Sequence, residues 1–147
     1  LERDFLPDTG GGIQRYMFEL YKNLVNITRG IEKIEFRRIK YIGDGPSFAL
    51  QTFFKDFSKY QIVHNLMPIP FLKPKFMLNS ILITTAHDFQ PILYPEFTFD
   101  HGVTVKDRLW LQLVIKPGFR STLSSDYIIA NSTQTKEEAI KLGFDKG

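Results

Sequence analysis

At 147 residues the chain has the length of one ordinary domain, and its 43% of apolar residues is ample for a packed core. A net charge of +3, spread among acidic residues rather than concentrated, argues against a nucleic-acid-binding role. Cysteine is absent, which excludes disulfides and thiolate chemistry, and no apolar run approaches the ~20 residues of a membrane-spanning helix.

The first predicted element is a helix entered through Gly10-Gly11-Gly12, with Ile13, Tyr16, Met17, Leu20 and Leu24 recurring on one face. Ile34 to Ile42 reads as a strand, and Gly43-Asp44-Gly45-Pro46 as a turn. Gln51 to Tyr60 reads as a helix carrying Phe53, Phe54 and Phe57 on one face. Gln61 to His64 is a short buried strand, and Leu66 to Lys75, with Pro68, Pro70 and Pro74, is a loop. Ile81 to Thr85 is the clearest buried strand; it runs into Ala86-His87-Asp88 and a loop with Pro91 and Pro95. A long helix spans Val105 to Leu123, with a bend expected near Pro117-Gly118. Asp126 to Ala130 is the last strand. Ser132 or Thr135 caps the last helix, with Thr135-x-x-Glu138 as a capping box and Gly143 as its stop.

Short apolar strands alternating with helices predict an α/β fold: a Rossmann-like, doubly wound parallel sheet covered on both faces. Ligands of such sheets bind outside the carboxyl ends of the strands, where His64-Asn65, His87-Asp88 and Asn131-Ser132 fall, together with the glycine turn. The first amides of a helix lack intrahelical partners and the macrodipole favours negative charge there, so Gly11 and Gly12 are candidates for holding a phosphate. The alternative is a tight turn and nothing more. Arg15 stands where the third glycine of a dinucleotide fingerprint belongs; it either adds positive charge beside an anion or pairs with a carboxylate. Asp88 either orients His87 or caps the following loop, and the three histidines lack the spacing of a metal site.

Gly-Gly-Ile-Gln-Arg-Tyr (11 to 16), Gln61-Ile62-Val63-His64, Thr85-Ala86-His87-Asp88 with Leu93-Tyr94-Pro95-Glu96, and Ile128-Ile129-Ala130-Asn131-Ser132-x-x-Thr135-Lys136 occur in this order. Together they resemble the amino-terminal domain of family 4 glycosyltransferases, the retaining GT-B enzymes, and most of all their mannosyltransferase-type branch. The resemblance covers nearly the whole chain. It implies that residues 1 to 147 form the acceptor-side half of a GT-B fold whose nucleotide-sugar-binding second domain is absent from this chain. It implies transfer of a sugar, mannose among the candidates, from a nucleotide-diphosphate-sugar to a glycan or lipid-linked acceptor, without a metal or other cofactor. Gly11 and Gly12 match the loop that approaches the donor diphosphate, and His87 matches the catalytic-site histidine that contacts the transferring sugar. Arg15, His64, Asn65 and Asp88 are further cleft candidates, and Ser132 matches a structural cap. The paired glutamates of the family, spaced Glu-x7-Glu, have no counterpart here, so the chain alone is expected to be inactive.

The chain opens on Leu1 without an initiator Met and closes just after a helix, and it therefore reads as a piece of a longer protein. No secretory signal pattern is visible, and the expected location is cytoplasmic, at the inner face of the membrane. Phe53, Phe54 and Phe57 with Lys55 and Lys59, and Phe71 to Phe76 with Lys73 and Lys75, combine apolar and basic side chains suited to peripheral membrane contact; core packing is the competing reading. The alternative to a transferase is a stand-alone α/β module that binds a phosphorylated small molecule or nucleotide.

Overall fold

The computed structural model describes residues 12–31, 50–51, 53–66, 78–94 and 104–144. The strand expected at 34 to 42, the turn at 43 to 46, the proline-rich loop after Leu66, Pro95, Glu96 and His101 lie outside the described residues, as do Gly10 and Gly11. Two compact units divide the chain, Leu1–Lys40 and Tyr41–Gly147.

In the first unit, α1 runs from Gly12 to Ile27. Tyr16, Met17, Leu20 and Leu24 are half-buried and share one face, while Arg15, Lys22, Asn23 and Asn26 are exposed. The helix closes through Thr28, whose hydroxyl donates to the Leu24 carbonyl, and Gly30 then takes a positive φ of 93°.

In the second unit, β1 (Ile62–Asn65), β2 (Ile81–Ala86) and β3 (Tyr127–Ala130) form a parallel sheet in the order β1-β2-β3. The register aligns Ile62 with Ile81 and Ile83 with Tyr127. The described part of this unit is thus α/β with parallel pairing. Its strands follow one another in space as they do in sequence, without a reversal of winding among the described residues.

Between β2 and β3 come α2 (Gln90–Leu93) and the long helix α3. Helix α3 begins as Val105–Trp110, widens into a π segment at Leu111–Ile115, and resumes as Lys116–Leu123. The expected bend near Pro117 takes this form for a physical reason. Proline lacks an N–H and its ring crowds the carbonyl four residues back, so the preceding turn opens and Lys116 N–H reaches Leu111 O instead. The helix starts in a capping box that the sequence reading overlooked. Thr104 accepts from the Asp107 N–H, and Asp107 accepts from the Thr104 N–H at 3.0 Å.

Helix α4 (Thr133–Lys141) completes the described fold. Ser132 is its cap and accepts from the Thr135 N–H, which puts Thr135 inside the helix; the box expected from Thr135 to Glu138 does not form. Glu138 instead accepts from the Gln134 amide at 2.9 Å. The helix stops at Gly143, whose φ of 98° suits a residue without a Cβ. Its N–H donates to Ile140 O and that of Phe144 to Ala139 O, a Schellman ending.

The core gathers Ala86, Phe89, Leu111, Ile115, Phe119 and Ala139 into one cluster, so α3 and α4 join the Ala86 side of β2. Phe89 and Phe119 meet at 5.3 Å between ring centroids. Each such side chain contributes about 1.5–3 kcal/mol through removal from water. On the opposite pleat of the same strands Ile62, Ile81, Tyr127 and Ile129 are exposed within this unit, while Thr85 is fully buried. The helix expected over 51 to 60 is corrected. Helical geometry reaches only residue 54, because the Asp56 carboxylate accepts from the Ser58 N–H and turns the chain out of the helix. Phe57 is consequently buried, whereas Phe54 is 77% exposed.

Candidate functional site

The carboxyl edge of the sheet brings together four of the residues singled out from the sequence. His64 and Asn65 end β1, and His87 and Asp88 follow β2; Asn131 and Ser132, noted as strand-end features, follow β3. Parallel pairing in register makes these three strand ends neighbours.

His87 is half-buried, and its Nε2 lies 3.1 Å from the Leu66 carbonyl oxygen. A carbonyl only accepts, so Nε2 carries the hydrogen and donates it, which fixes the tautomer of the neutral ring. The bond ties the end of β2 to the end of β1 and holds the imidazole at the rim. Asp88 does not orient this ring. Its Oδ1 accepts from the Gln90 N–H at 3.2 Å, so it opens the turn into α2, the second of its two expected roles.

His64 sits on the same pleat as Thr85, and its Nε2 is 2.9 Å from the Thr85 hydroxyl. Thr85 is fully buried. Burial pushes the His64 pKa below its ordinary value of 6.5, because the imidazolium loses hydration that the site does not replace. A ring kept neutral in this way accepts or donates hydrogen bonds at physiological pH. Asn65, beside it on the opposite pleat, is half-buried.

The start of α4 supplies the third wall. The Thr135 hydroxyl stands within 3.2 Å of the His87 carbonyl oxygen, 3.0 Å of Asn131 Oδ1 and 2.9 Å of Ser132 Oγ. One hydroxyl has one proton, so it donates to one of the first two acceptors while sharing a bond with Ser132. Sequence reading offers Thr135 as a cap and as part of the Asn131-Ser132-x-x-Thr135-Lys136 motif, and misses its role as the link between α4 and the end of β2. The signal for it was the Asn131-Ser132-x-x-Thr135 spacing, which stacks the three side chains on one helical turn.

In the first unit, Gly12 opens α1 and a Cβ added there would meet no atom within 4 Å. Its φ is not positive, so among the described residues of this unit neither backbone geometry nor packing accounts for the glycine. Arg15 is exposed one turn along. Gly11 lies outside the described residues, and so do Phe71, Lys73, Lys75 and Phe76. Among the described residues no three His, Asp or Glu side chains are grouped to hold a metal ion, and no helix is long and apolar enough to cross a membrane.

Compared with known proteins, the chain matches no family model, no curated protein and no solved structure.

Proposed function

We propose that the chain is the acceptor-side half of a retaining, nucleotide-sugar-dependent glycosyltransferase of GT-B type, a doubly wound domain that works with a second, donor-binding domain. The observation that carries this reading is the gathering of His64, His87 and Asn131 at the carboxyl edge of a parallel sheet, the edge at which open α/β sheets bind ligands. The ordered resemblance in the sequence supplies the reaction class.

In that reaction the leaving diphosphate gains charge while the sugar becomes oxocarbenium-like. The helix start at Gly12 offers amides aimed at an anion, and the absent side chain lets the diphosphate approach closely. Removing one comparable fixed donor costs about 3–4 kcal/mol of transition-state stabilisation. His87 contacts a hydroxyl of the transferring sugar, with its ring held by Leu66. His64 and Asn65 line the cleft at the sheet edge, Asp88 keeps the loop after β2 in place, and Arg15 adds positive charge beside the start of α1. The acceptor is a glycan or a lipid-linked saccharide, and the protein works in the cytoplasm, at the inner face of the membrane.

The decisive assay is sugar transfer by the protein that joins this chain to its donor domain. Gly12→Val and His87→Ala are each expected to lower kcat/KM at least tenfold. Parent rates in both variants would refute the role assignment. Gly12 is well suited to this test because its surroundings leave room for a side chain, so a loss of activity would report ligand approach rather than misfolding. A stand-alone module binding a phosphorylated small molecule is the competing reading. It predicts heat on titrating the isolated chain with nucleotide diphosphates, whereas the transferase reading expects weak binding without the donor domain.

A further inference from the structure

We propose that Thr135 is a positioning residue for His87: its hydroxyl, reaching out of α4, fixes the backbone from which the imidazole projects. What His87 does rests on the transferase reading; how it is held rests on hydrogen bonds alone.

Both peptide groups that flank His87 are bonded to the segment that joins β3 to α4. The Ala86 carbonyl accepts from the Asn131 N–H at 3.4 Å, and the His87 carbonyl lies 3.2 Å from the Thr135 hydroxyl. The ring is tied separately, by Nε2 to the Leu66 carbonyl at 3.1 Å. Planar peptides leave a residue only φ and ψ as soft angles. Holding the peptide on each side therefore sets both angles at His87, and with them the direction of its Cα–Cβ bond.

The hydroxyl of Thr135 does not behave as helix position alone would dictate. A threonine inside a helix ordinarily bonds back to a carbonyl three or four residues earlier. Here the hydroxyl leaves its own helix and reaches a carbonyl 48 residues earlier. The side chain is only 3% exposed, so water does not compete for the bond. Ser132 steers the proton. Its Oγ accepts from the Thr135 N–H at 3.1 Å and lies 2.9 Å from Thr135 Oγ1. When Ser132 donates its own proton to Oγ1, the Thr135 proton turns outward, to His87 O at 3.2 Å or Asn131 Oδ1 at 3.0 Å. Asn131 is exposed and its side chain can exchange that bond for water, whereas the His87 carbonyl is fixed in the backbone. The cap of α4 uses the Thr135 N–H, so removing the hydroxyl leaves the cap donor in place.

The test compares Thr135→Val, Thr135→Ser, His87→Ala and the double variant His87→Ala with Thr135→Val. All are made in the protein that joins this chain to its donor domain. Valine keeps the shape and loses the hydroxyl; serine keeps the hydroxyl. Thr135→Val is expected to lower kcat about tenfold with KM within about twofold of the parent, and Thr135→Ser to restore most of the rate. The double variant should be no slower than His87→Ala, because Thr135 acts through that ring; a merely structural residue would add its own loss. A second readout needs no substrate. Long-range proton–nitrogen spectra should show the His87 ring protonated at Nε2 in the parent and in Thr135→Ser, and as mixed tautomers in Thr135→Val. Thr135→Ala carries the same expectation should the valine variant not fold. A parent-like ring spectrum in the hydroxyl-free variants, or an additive loss in the double variant, would overturn the proposal and leave the transferase reading standing. A parent rate in His87→Ala would overturn that reading instead, and the ring spectrum would then decide the positioning role by itself.

Discussion

The two ends of the described sheet use polar side chains for opposite purposes. At the amino end of β2 Ser80 donates to the Tyr60 carbonyl at 2.6 Å, and Asp126 accepts from the Leu82 N–H at 2.8 Å while its own N–H donates to Leu82 O. Midway along the strand Thr84 and Ser125 share a buried bond of 2.8 Å. At the carboxyl end the corresponding contacts involve rings and amides left partly in water: His64 on Thr85, His87 on Leu66 O, Asn131 on Thr135. One end fastens the strands together. The other holds adaptable donors and acceptors at a rim, the arrangement expected of a cleft in this fold class. Polar residues are thus not markers of function by themselves; what separates the two ends is the kind of group bonded, short side chains on backbone at one and imidazole rings at the other.

This contrast is broken most directly at Asp126. Replacing Asp126→Ala leaves the buried N–H of Leu82 without its charged acceptor and removes a rung between β2 and β3. A hydrogen bond to a charged group contributes about 1.5–3 kcal/mol, so urea denaturation should show a stability loss of that size. Sugar transfer by the folded fraction of the two-domain protein should stay near the parent rate. If activity fell with stability unchanged, the amino end would not be the purely structural one.

The carboxyl end is probed next through Ser132, whose hydroxyl caps α4. Ser132→Ala should cost about 1 kcal/mol, and Ser132→Gly only a few tenths, because glycine leaves the helix amides open to water. Thermal unfolding of the two variants side by side measures the difference. Equal losses would mean that the shared bond with Thr135, rather than the cap, is what Ser132 contributes.

Much of the element order was legible before the fold was seen. Ile81 to Ala86 is a continuous apolar-rich run and was read as a buried strand, with only its end shifted by one residue. β1 moved by one residue as well, because its pattern is too short for periodicity to fix an edge. What failed was where a local hydrogen bond competes with periodicity. Phe53, Phe54 and Phe57 have helical spacing, yet the Asp56–Ser58 turn ends the helix and sends Phe54 to solvent. Likewise Thr135 and Glu138 have box spacing, but Ser132 reaches the helix end first. For the candidate site, the strand-end positions of His64, His87 and Asn131 followed from the alternation of elements. Their partners did not: the Leu66 carbonyl, the Thr85 hydroxyl and the Thr135 hydroxyl depend on strand register and helix docking, which no local pattern encodes.

The gentlest probe of the comparison is pH, because the titration of His64 is displaced downward by burial at its place opposite Thr85. In the unfolded chain the ring protonates near its ordinary 6.5, whereas in the folded chain it does so at lower pH. Between those two values the unfolded state binds more protons, so stability rises with pH through that interval. The stabilising contribution is complete above 6.5 and is lost as the pH falls toward the folded value. Urea midpoints measured from about pH 7.5 down to about pH 5 should therefore decline, and His64→Gln should flatten part of that decline. Gln keeps a hydrogen-bonding group opposite Thr85 but cannot titrate. An unchanged slope in that variant would assign the acid sensitivity to groups elsewhere and leave His64 as a plain strand residue. A flattened slope would identify the carboxyl edge as the end of the sheet at which a proton is felt, in keeping with a rim built from partly solvated rings.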